Sequence, residues 1–258
     1  MSEFFKNTSD PLVSVIIPVH NGERYIEKSV RSVMAQTYGN WELLVIDDFS
    51  TDSTSDIVGA LCEEDKRVSY IKNTENIGTA KTRNRGLELS KGDCVAFLDA
   101  DDVWKPEKLE TQLRKMESEK ADLVYSSYEI VNENGEAIKA PYLVSETVNF
   151  EGLLKENVIG CSTVILSSEI AEKYRFVEDY YHEDYCLWLN ILRDGYKVAG
   201  CRELLVEWRL ITDSRSFDKR NSALYRWRIY REYLKLPLFK SIRLFFCYFI
   251  GGIKKYYT

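Results

Sequence analysis

Between Val13 and Tyr128 the chain alternates strand-like and helix-like segments four times, with no repeat or low-complexity stretch between them. Residues 13–17 read as a buried strand that Pro18 ends. Ile26, Val30, Val33 and Met34 then recur at helical spacing within 25–37. Residues 41–46 form a second strand, and the next helix runs through Ile57, Val58 and Leu61 with Ser53 or Thr54 available as its cap. A short strand over 68–72 is followed by a helix over 79–90, a strand over 94–98, a helix over 105–119 with Pro106 in its first turn, and a strand over 123–128. Such alternation predicts a mostly parallel sheet with helices on both faces. Sheets of that kind bind ligands at the carboxyl ends of their strands. The residues at those ends are Pro18-Val19-His20-Asn21, Asp47-Asp48 and Asp99-Ala100-Asp101.

The second half is less regular. Asn134-Gly135 reads as a hairpin-type turn, 141–170 mix short apolar pieces with loops, and 183–192 look helical. Strands are expected over 196–199 and 204–208, then two helices over 221–236 and 238–257, broken at Pro237. At 258 residues the chain can bury a sizeable core, which suits one α/β domain with appendages. The six cysteines are scattered without a CxxC pair, which predicts reduced thiols and a cytosolic setting. The N-terminal residues lack the pattern of a signal peptide, and no apolar run reaches the length of a membrane span.

Charge is unevenly distributed. Residues 219–258 hold ten Lys or Arg against Glu232 alone, a charge of +9, so the preceding 218 residues carry −15 of the net −6. An acidic body with a basic, aromatic tail points to an anionic surface as the tail's partner.

The chemistry-bearing residues cluster at the strand ends. In Phe97-Leu98-Asp99-Ala100-Asp101-Asp102-Val103-Trp104, three carboxylates follow an apolar strand. Crowded carboxylates repel one another unless a cation sits among them, and hard oxygen ligands suit Mg²⁺ or Mn²⁺ with a substrate diphosphate. The alternative is a solvated acidic turn before a helix. Asp48 could accept the N3–H of a uracil or thymine, or could serve as a cap or turn residue. His20 and Asn21 could line the same pocket, although a lone His is more often a packed loop residue. Lys81, Arg83 and Arg85 cannot all face one ligand from one helix, and Arg83 is the choice for the pocket because Asn76-Ile77-Gly78 feeds the helix start toward the strand ends. Glu183-Asp184 open a helix, where its partial positive end predicts an ionised Asp184, and simple capping is the alternative.

Taken in order, these motifs resemble glycosyltransferase family 2 over about residues 12–210: Ser14-Val15-Ile16-Ile17-Pro18-Val19-His20-Asn21, Glu42 to Asp52, Asn76-Ile77-Gly78 with Arg83-Asn84-Arg85-Gly86, Phe97 to Asp102 with Trp104 and Pro106, and Glu183-Asp184. The resemblance implies a GT-A-type, Rossmann-like α/β fold with a C-terminal helical extension. By domain it implies an N-terminal tail (1–11), a catalytic domain (12–210, donor-binding over 12–128 and acceptor-binding over 129–210) and basic aromatic helices (211–258). It also implies inverting transfer of a sugar from a nucleoside diphosphate, a UDP-hexose or UDP-N-acetylhexosamine, with Mn²⁺ or Mg²⁺ as cofactor. Asp184 would be the general base, supported by Glu183. Pro18, Val19, His20, Asn21, Asp48, Arg83, Asp99 and Ala100 would bind the nucleotide sugar. Asp101, with Asp99, would hold the metal. Position 20, where the family often has Tyr, is a departure.

The tail is similar to those of bacterial surface-polysaccharide glycosyltransferases, whose acceptors are carried on a polyprenyl diphosphate. That similarity implies a role in O-antigen, capsule or exopolysaccharide synthesis. Basic flanks around Phe239 to Ile250 fit an interfacial helix on the cytoplasmic face of the inner membrane, with packing against the catalytic domain or a homodimer partner as alternatives. Nucleic acid is disfavoured by the acidic body. Two other functions remain: a sugar-phosphate nucleotidyltransferase, which would usually carry a Gly-rich basic loop after the first strand, and a non-catalytic membrane-associated scaffold.

Overall fold

The computed structural model describes residues 10–178, 180, 182–211 and 219–257, with 219–220 and 249–257 described by their backbone alone. Residues 1–9 of the expected N-terminal tail, 212–218 of the C-terminal extension, and the Phe249, Ile250, Lys254 and Lys255 side chains therefore lie outside the described residues.

Eight strands form one sheet: β1 (Val13–Val19), β2 (Trp41–Asp47), β3 (Val68–Lys72), β4 (Cys94–Phe97), β5 (Val103–Trp104), β6 (Leu123–Val131), β7 (Ile165–Ser167) and β8 (Val198–Arg209). Their order is β3-β2-β1-β4-β7-β6-β8-β5. The first four are parallel, β7 runs antiparallel between β4 and β6, β8 is parallel to β6, and β5 pairs antiparallel with the end of β8. Every residue of β1 is buried, because helices cover both faces of the sheet. Successive side chains alternate between faces. Val13, Val15, Ile17 and Val19 enter one core with α1 (Ile26–Met34), α2 (Thr54–Glu64) and α4 (Lys108–Glu119). Ile16, Leu44, Ile46 and Phe97 enter the other with α3 (Thr79–Leu89), α5 (Phe150–Lys155), α6 (Ser168–Lys173) and α7 (Glu183–Arg193). Gly86 lets α3 lie close on β1, since a Cβ there would come within 2.5 Å of the Ile16 side chain.

The first half matches its expected elements closely. The helix expected from residue 105 begins at Lys108, with Pro106 and Glu107 in the turn before it. Ser53 holds the cap position of α2 but makes no side-chain bond there, and the Asp52 carboxylate takes the Thr54 N–H instead, at 3.1 Å. The strands expected over 196–199 and 204–208 are one strand, β8, which keeps pairing with β6 through register shifts beside Ser127. β5 and β7 have two and three residues, too few to display a period. The C-terminal helices are α8 (Lys219–Arg228), prolonged by a π-helical turn (Ile229–Tyr233), and α9 (Leu238–Tyr257), with the break at Pro237 as expected. Among the described residues no helix is long and apolar enough to cross a membrane.

Candidate active site

The carboxyl ends of β1, β2 and β4 open into a cleft of about 1160 Å³. Its other walls are the 155–163 segment, the start of α7 and the tail helices. Of the residues singled out from sequence, Pro18, His20, Asn21, Asp48, Arg83, Asp99, Ala100, Asp101, Glu183 and Asp184 all line it. Val19 does not: its side chain is 3 % exposed in the core, and only its carbonyl takes part locally, accepting the Asp48 N–H at 2.7 Å.

At one end of the cleft the Asp48 carboxylate, like that of its buried neighbour Asp47, accepts three hydrogen bonds. Asp48 Oδ1 accepts from Asn73 Nδ2 (2.9 Å) and the Ile77 N–H (2.8 Å), and Oδ2 accepts from the Gly78 N–H (2.8 Å). Asp48 thus clamps the loop before α3, where Gly78 adopts a φ of +85° that favours glycine. Asp47 accepts from the Ser50 N–H (2.8 Å), the Ser50 hydroxyl (2.5 Å) and the Tyr70 hydroxyl. His20 Nδ1 lies 2.7 Å from the Asp48 carbonyl. A carbonyl only accepts, so Nδ1 carries the hydrogen, which leaves Nε2 to accept from Asn21 Nδ2 at 3.2 Å. Asn21, at a φ of 50°, also accepts the Thr51 N–H at 2.9 Å through Oδ1. The turn after β2 is thereby tied to the turn after β1.

The other end is electrically crowded. Arg83, 5 % exposed, reaches Asp99 Oδ1 through Nη2 (2.5 Å) and Glu183 Oε1 through Nη1 (2.7 Å). Lys81, by contrast, pairs with Glu178 at 3.5 Å, and Arg85 is held by the Lys72 carbonyl and the Asn73 side chain. Arg83 therefore joins the strand-end acidic cluster to the start of α7, with both terminal nitrogens engaged by carboxylates. Asp102 is fully buried, accepting from the Ser162 hydroxyl (2.5 Å) and the Arg209 N–H (2.9 Å). Burial and the neighbouring Asp101 and Asp99 push its carboxyl well up. Among the described residues no cation pairs directly with the Asp101 carboxylate. Burial and the Asp99 charge push it up to about 6 against the pull of Arg209 and Arg83.

Asp184 departs from expectation. The partial charge of the α7 N-terminus predicts an ionised carboxylate, and Asp184 Oδ1 does accept the Tyr185 N–H at 2.7 Å. Burial and the adjacent Glu183 charge outweigh this bond and the attraction of Arg83, and push Asp184 up to about 7. That is a value suited to a group that takes a proton near neutral pH.

Two contributors escaped the sequence reading. Ser162 accepts the Asp99 N–H (3.0 Å) while donating to Asp102, and its carbonyl accepts from Trp104 Nε1 (2.8 Å). The only signal was a run of small residues, Gly160-Cys161-Ser162-Thr163. Arg209, at the end of β8, donates from Nε to the Asp101 carbonyl (2.8 Å) and from Nη1 to the Asn132 (2.9 Å) and Glu133 (2.8 Å) carbonyls. An Arg closing an apolar strand was its one visible sign.

Comparison with known proteins agrees with the motifs. Residues 14–175 match the family described as Glycosyl transferase family 2. A Bacillus subtilis (strain 168) protein, TuaG, whose name assigns it to teichuronic acid biosynthesis, is 36% identical over 95% of this chain and 97% of its own length. The Escherichia coli UDP-Glc:alpha-D-GlcNAc-diphosphoundecaprenol beta-1,3-glucosyltransferase WfgD is 36% identical over 96% of each chain. In fold, S. aureus TarS 1–349 in complex with UDP-GlcNAc superposes with a TM-score of 0.71 at 18% identity, over 94% of this chain and 72% of that one. The chain belongs to glycosyltransferase family 2. It is an enzyme of the glycosyltransferase class with an α/β fold of the GT-A type.

Proposed function

We propose that this enzyme transfers a sugar from a UDP-hexose or UDP-N-acetylhexosamine, with inversion, to a glycan acceptor carried on a polyprenyl diphosphate during bacterial surface-polysaccharide synthesis. One observation carries the reading. Asp48, Asp99, Asp101 and Asp184 line one cleft, and among them Asp184 has its carboxyl pushed to about 7. The diphospholipid acceptor named for the Escherichia coli relative, aligned over 96% of both chains, supports the substrate class.

In this reading the Asp48 end holds the nucleotide base and the Asp99–Asp101 end takes the diphosphate. Among the described residues no three His, Cys, Asp or Glu side chains group into a metal cage. Two hard carboxylates with one under-neutralised, Asp101, nevertheless fit a Mg²⁺ or Mn²⁺ ion. Asp101 and Asp99 would hold it, and the ion would supply charge neutralisation for the departing diphosphate. Asp184 takes the proton of the acceptor hydroxyl as it attacks the anomeric carbon, and Glu183, fixed by Arg83, keeps that helix start in place. A single displacement on an α-linked donor leaves a β linkage.

The tail supports peripheral attachment to the cytoplasmic face of the inner membrane. Phe239 (86 % exposed), Ile242 and Phe246 stand one helical turn apart and exposed on α9, with Leu238 and Arg243 beside them. Vesicles of anionic lipid should retain the protein, and a Phe239→Ser/Phe246→Ser variant should lose that retention. A concentration-dependent dimer that the same substitutions dissolve would assign this face to a second copy instead.

Incubation of the protein with UDP-glucose or UDP-GlcNAc and a synthetic GlcNAc-diphosphate-lipid, with and without a chelator, tests the function. A β-linked disaccharide product is expected. Turnover with a nucleoside triphosphate and a sugar phosphate instead would replace the reading with nucleotidyl transfer.

A further inference from the structure

The cleft contains a buried guanidinium that, among the described residues, has no acidic partner. Arg226, on α8, is 4 % exposed and lines the cleft. Its Cζ sits 3.8 Å from the centroid of the Tyr185 ring and 4.8 Å from that of Tyr248. Among the described residues its buried Nε and Nη1 atoms make no hydrogen bond, while the Tyr185 and Tyr230 hydroxyls lie within hydrogen-bonding reach of the guanidinium. Among the described residues no carboxylate pairs with it, whereas the other two buried arginines are engaged: Arg83 by two carboxylates and Arg209 by three carbonyls. A desolvated guanidinium with idle N–H groups is costly unless an anion completes it. Its planar fork matches two oxygens of a phosphate, and rings on two sides hold that fork in place.

Position identifies which anion. Tyr185 directly follows Asp184, so Arg226 stands beside the start of α7. In the reading proposed above, the donor diphosphate goes to the metal ion that Asp99 and Asp101 would hold. Ser222, one turn earlier on α8, lines the same wall and adds a hydroxyl. We propose that Arg226 binds the diphosphate of the acceptor, so that the tail reads the substrate's charged linker as well as strapping the protein to its surface. This inference rests on the diphosphate-linked acceptor proposed above.

The test uses the full-length chain, its Arg226→Gln and Arg226→Lys variants, and two acceptors that carry the same sugar, one on a diphosphate-lipid and one on an uncharged alkyl group. The wild type should prefer the diphosphate acceptor, and Arg226→Gln should reduce that preference in kcat/KM at least tenfold, mostly through KM, with Arg226→Lys between the two. Geranyl diphosphate, titrated calorimetrically onto protein saturated with UDP, provides a readout independent of turnover: the wild type should bind it and Arg226→Gln should bind at least tenfold more weakly. If Arg226→Gln does not fold, Arg226→Lys, which keeps the charge between the rings, carries both comparisons. An equal loss on both acceptors, or a rise in donor KM alone, overturns the proposal. Geranyl diphosphate bound equally by all three proteins overturns it too. Absence of wild-type transfer to either acceptor, with Arg226-dependent geranyl diphosphate binding intact, would overturn the acceptor reading and keep the anion site.

Discussion

Aspartates stand at both ends of the cleft, yet the two ends treat them oppositely. Asp47 and Asp48 each accept three hydrogen bonds from the turns they organise, and every donor is local to the first three strands. Asp101 and Asp184 are surrounded by other carboxylates and are pushed up to about 6 and about 7. One end has its electrostatics completed by the protein. In the proposed reading the other is left for substrate to complete. The first is therefore a rigid mould, and the second a site whose charges are costly until ligands arrive. Replacing a carboxylate should accordingly have opposite effects on stability at the two ends, and that contrast is what experiments can break.

Asp184→Asn carries the largest expected effect. Removing a general base costs roughly 10²–10⁴ in rate, so transfer should fall at least a hundredfold while UDP protection in thermal shift is kept. The folded-state pKa of Asp184 lies above its unfolded value of 3.8, so between about 4 and 7 the folded protein binds more protons than the unfolded chain. Stability from this group consequently falls as pH rises through that window. Asp184→Asn should raise Tm at pH 8, and the gain should vanish as pH approaches 4. Wild-type kcat/KM should rise with pH to a plateau with a midpoint near 7. A flat profile would remove Asp184 as the base.

Asp101→Asn should follow, with transfer lowered by about two orders of magnitude, as expected for loss of a group that helps neutralise a departing charge. Its ligand-free Tm should rise above pH 6 for the same linkage reason, since the Asp101 carboxyl is also pushed up. Protection by UDP that requires Mn²⁺ in the wild type should disappear. A lower Tm in this variant would mean that the crowded end is structural after all.

Asp48→Ala should do the reverse. It strands Asn73 Nδ2, which is buried, and the Ile77 and Gly78 N–H groups, which are part-buried at the cleft wall. Leaving buried donors unmet costs about 1–3 kcal/mol each, less where water enters, so a loss of about 2–4 kcal/mol in denaturant unfolding is expected, with nucleotide binding lost as well.

The sequence made the mould far more legible than the crowded end. Asp48 follows a strand with a clear apolar run, which placed it at a strand end; of its partners, Ile77 and Gly78 lie in the loop that the sequence sends toward those ends, whereas Asn73 carried no signal of its own. Asp99, Asp101 and Asp184 could be picked out, but their surroundings could not. Ser162 is 60 residues from Asp102, and Arg209 is 107 residues from it. These partners arrive through β7 and β8, where a three-residue strand and a register-shifted one leave little periodic trace. The upward push on Asp184 has the same origin. A helix start is visible in sequence, whereas the burial that overrides its dipole depends on segments far away in the chain. Arg226 looked like one more charge on a basic tail, and only the packing of α8 on Tyr185 reveals its burial.

The smallest expected effect tests how firmly the mould is held. Phe49 sits between Asp48 and Ser50 at a φ of 64°, a left-handed conformation that costs a bulky side chain roughly 1 kcal/mol or more. Phe49 as a whole is 44 % exposed, so only partial packing offsets that cost. The conformation persists because Asp47 grips the Ser50 N–H and hydroxyl, while Asp48 is fixed by three donors on the other side. Glycine adopts this φ freely but loses more backbone entropy on folding. Phe49→Gly should therefore stabilise the protein by only about 0.5–1 kcal/mol in denaturant unfolding. If the hydrogen bonds alone set the turn, UDP affinity should stay within about twofold. If affinity drops tenfold while stability rises, the Phe49 ring itself covers the bound nucleotide, and the rigidity of this end is shared with its ligand.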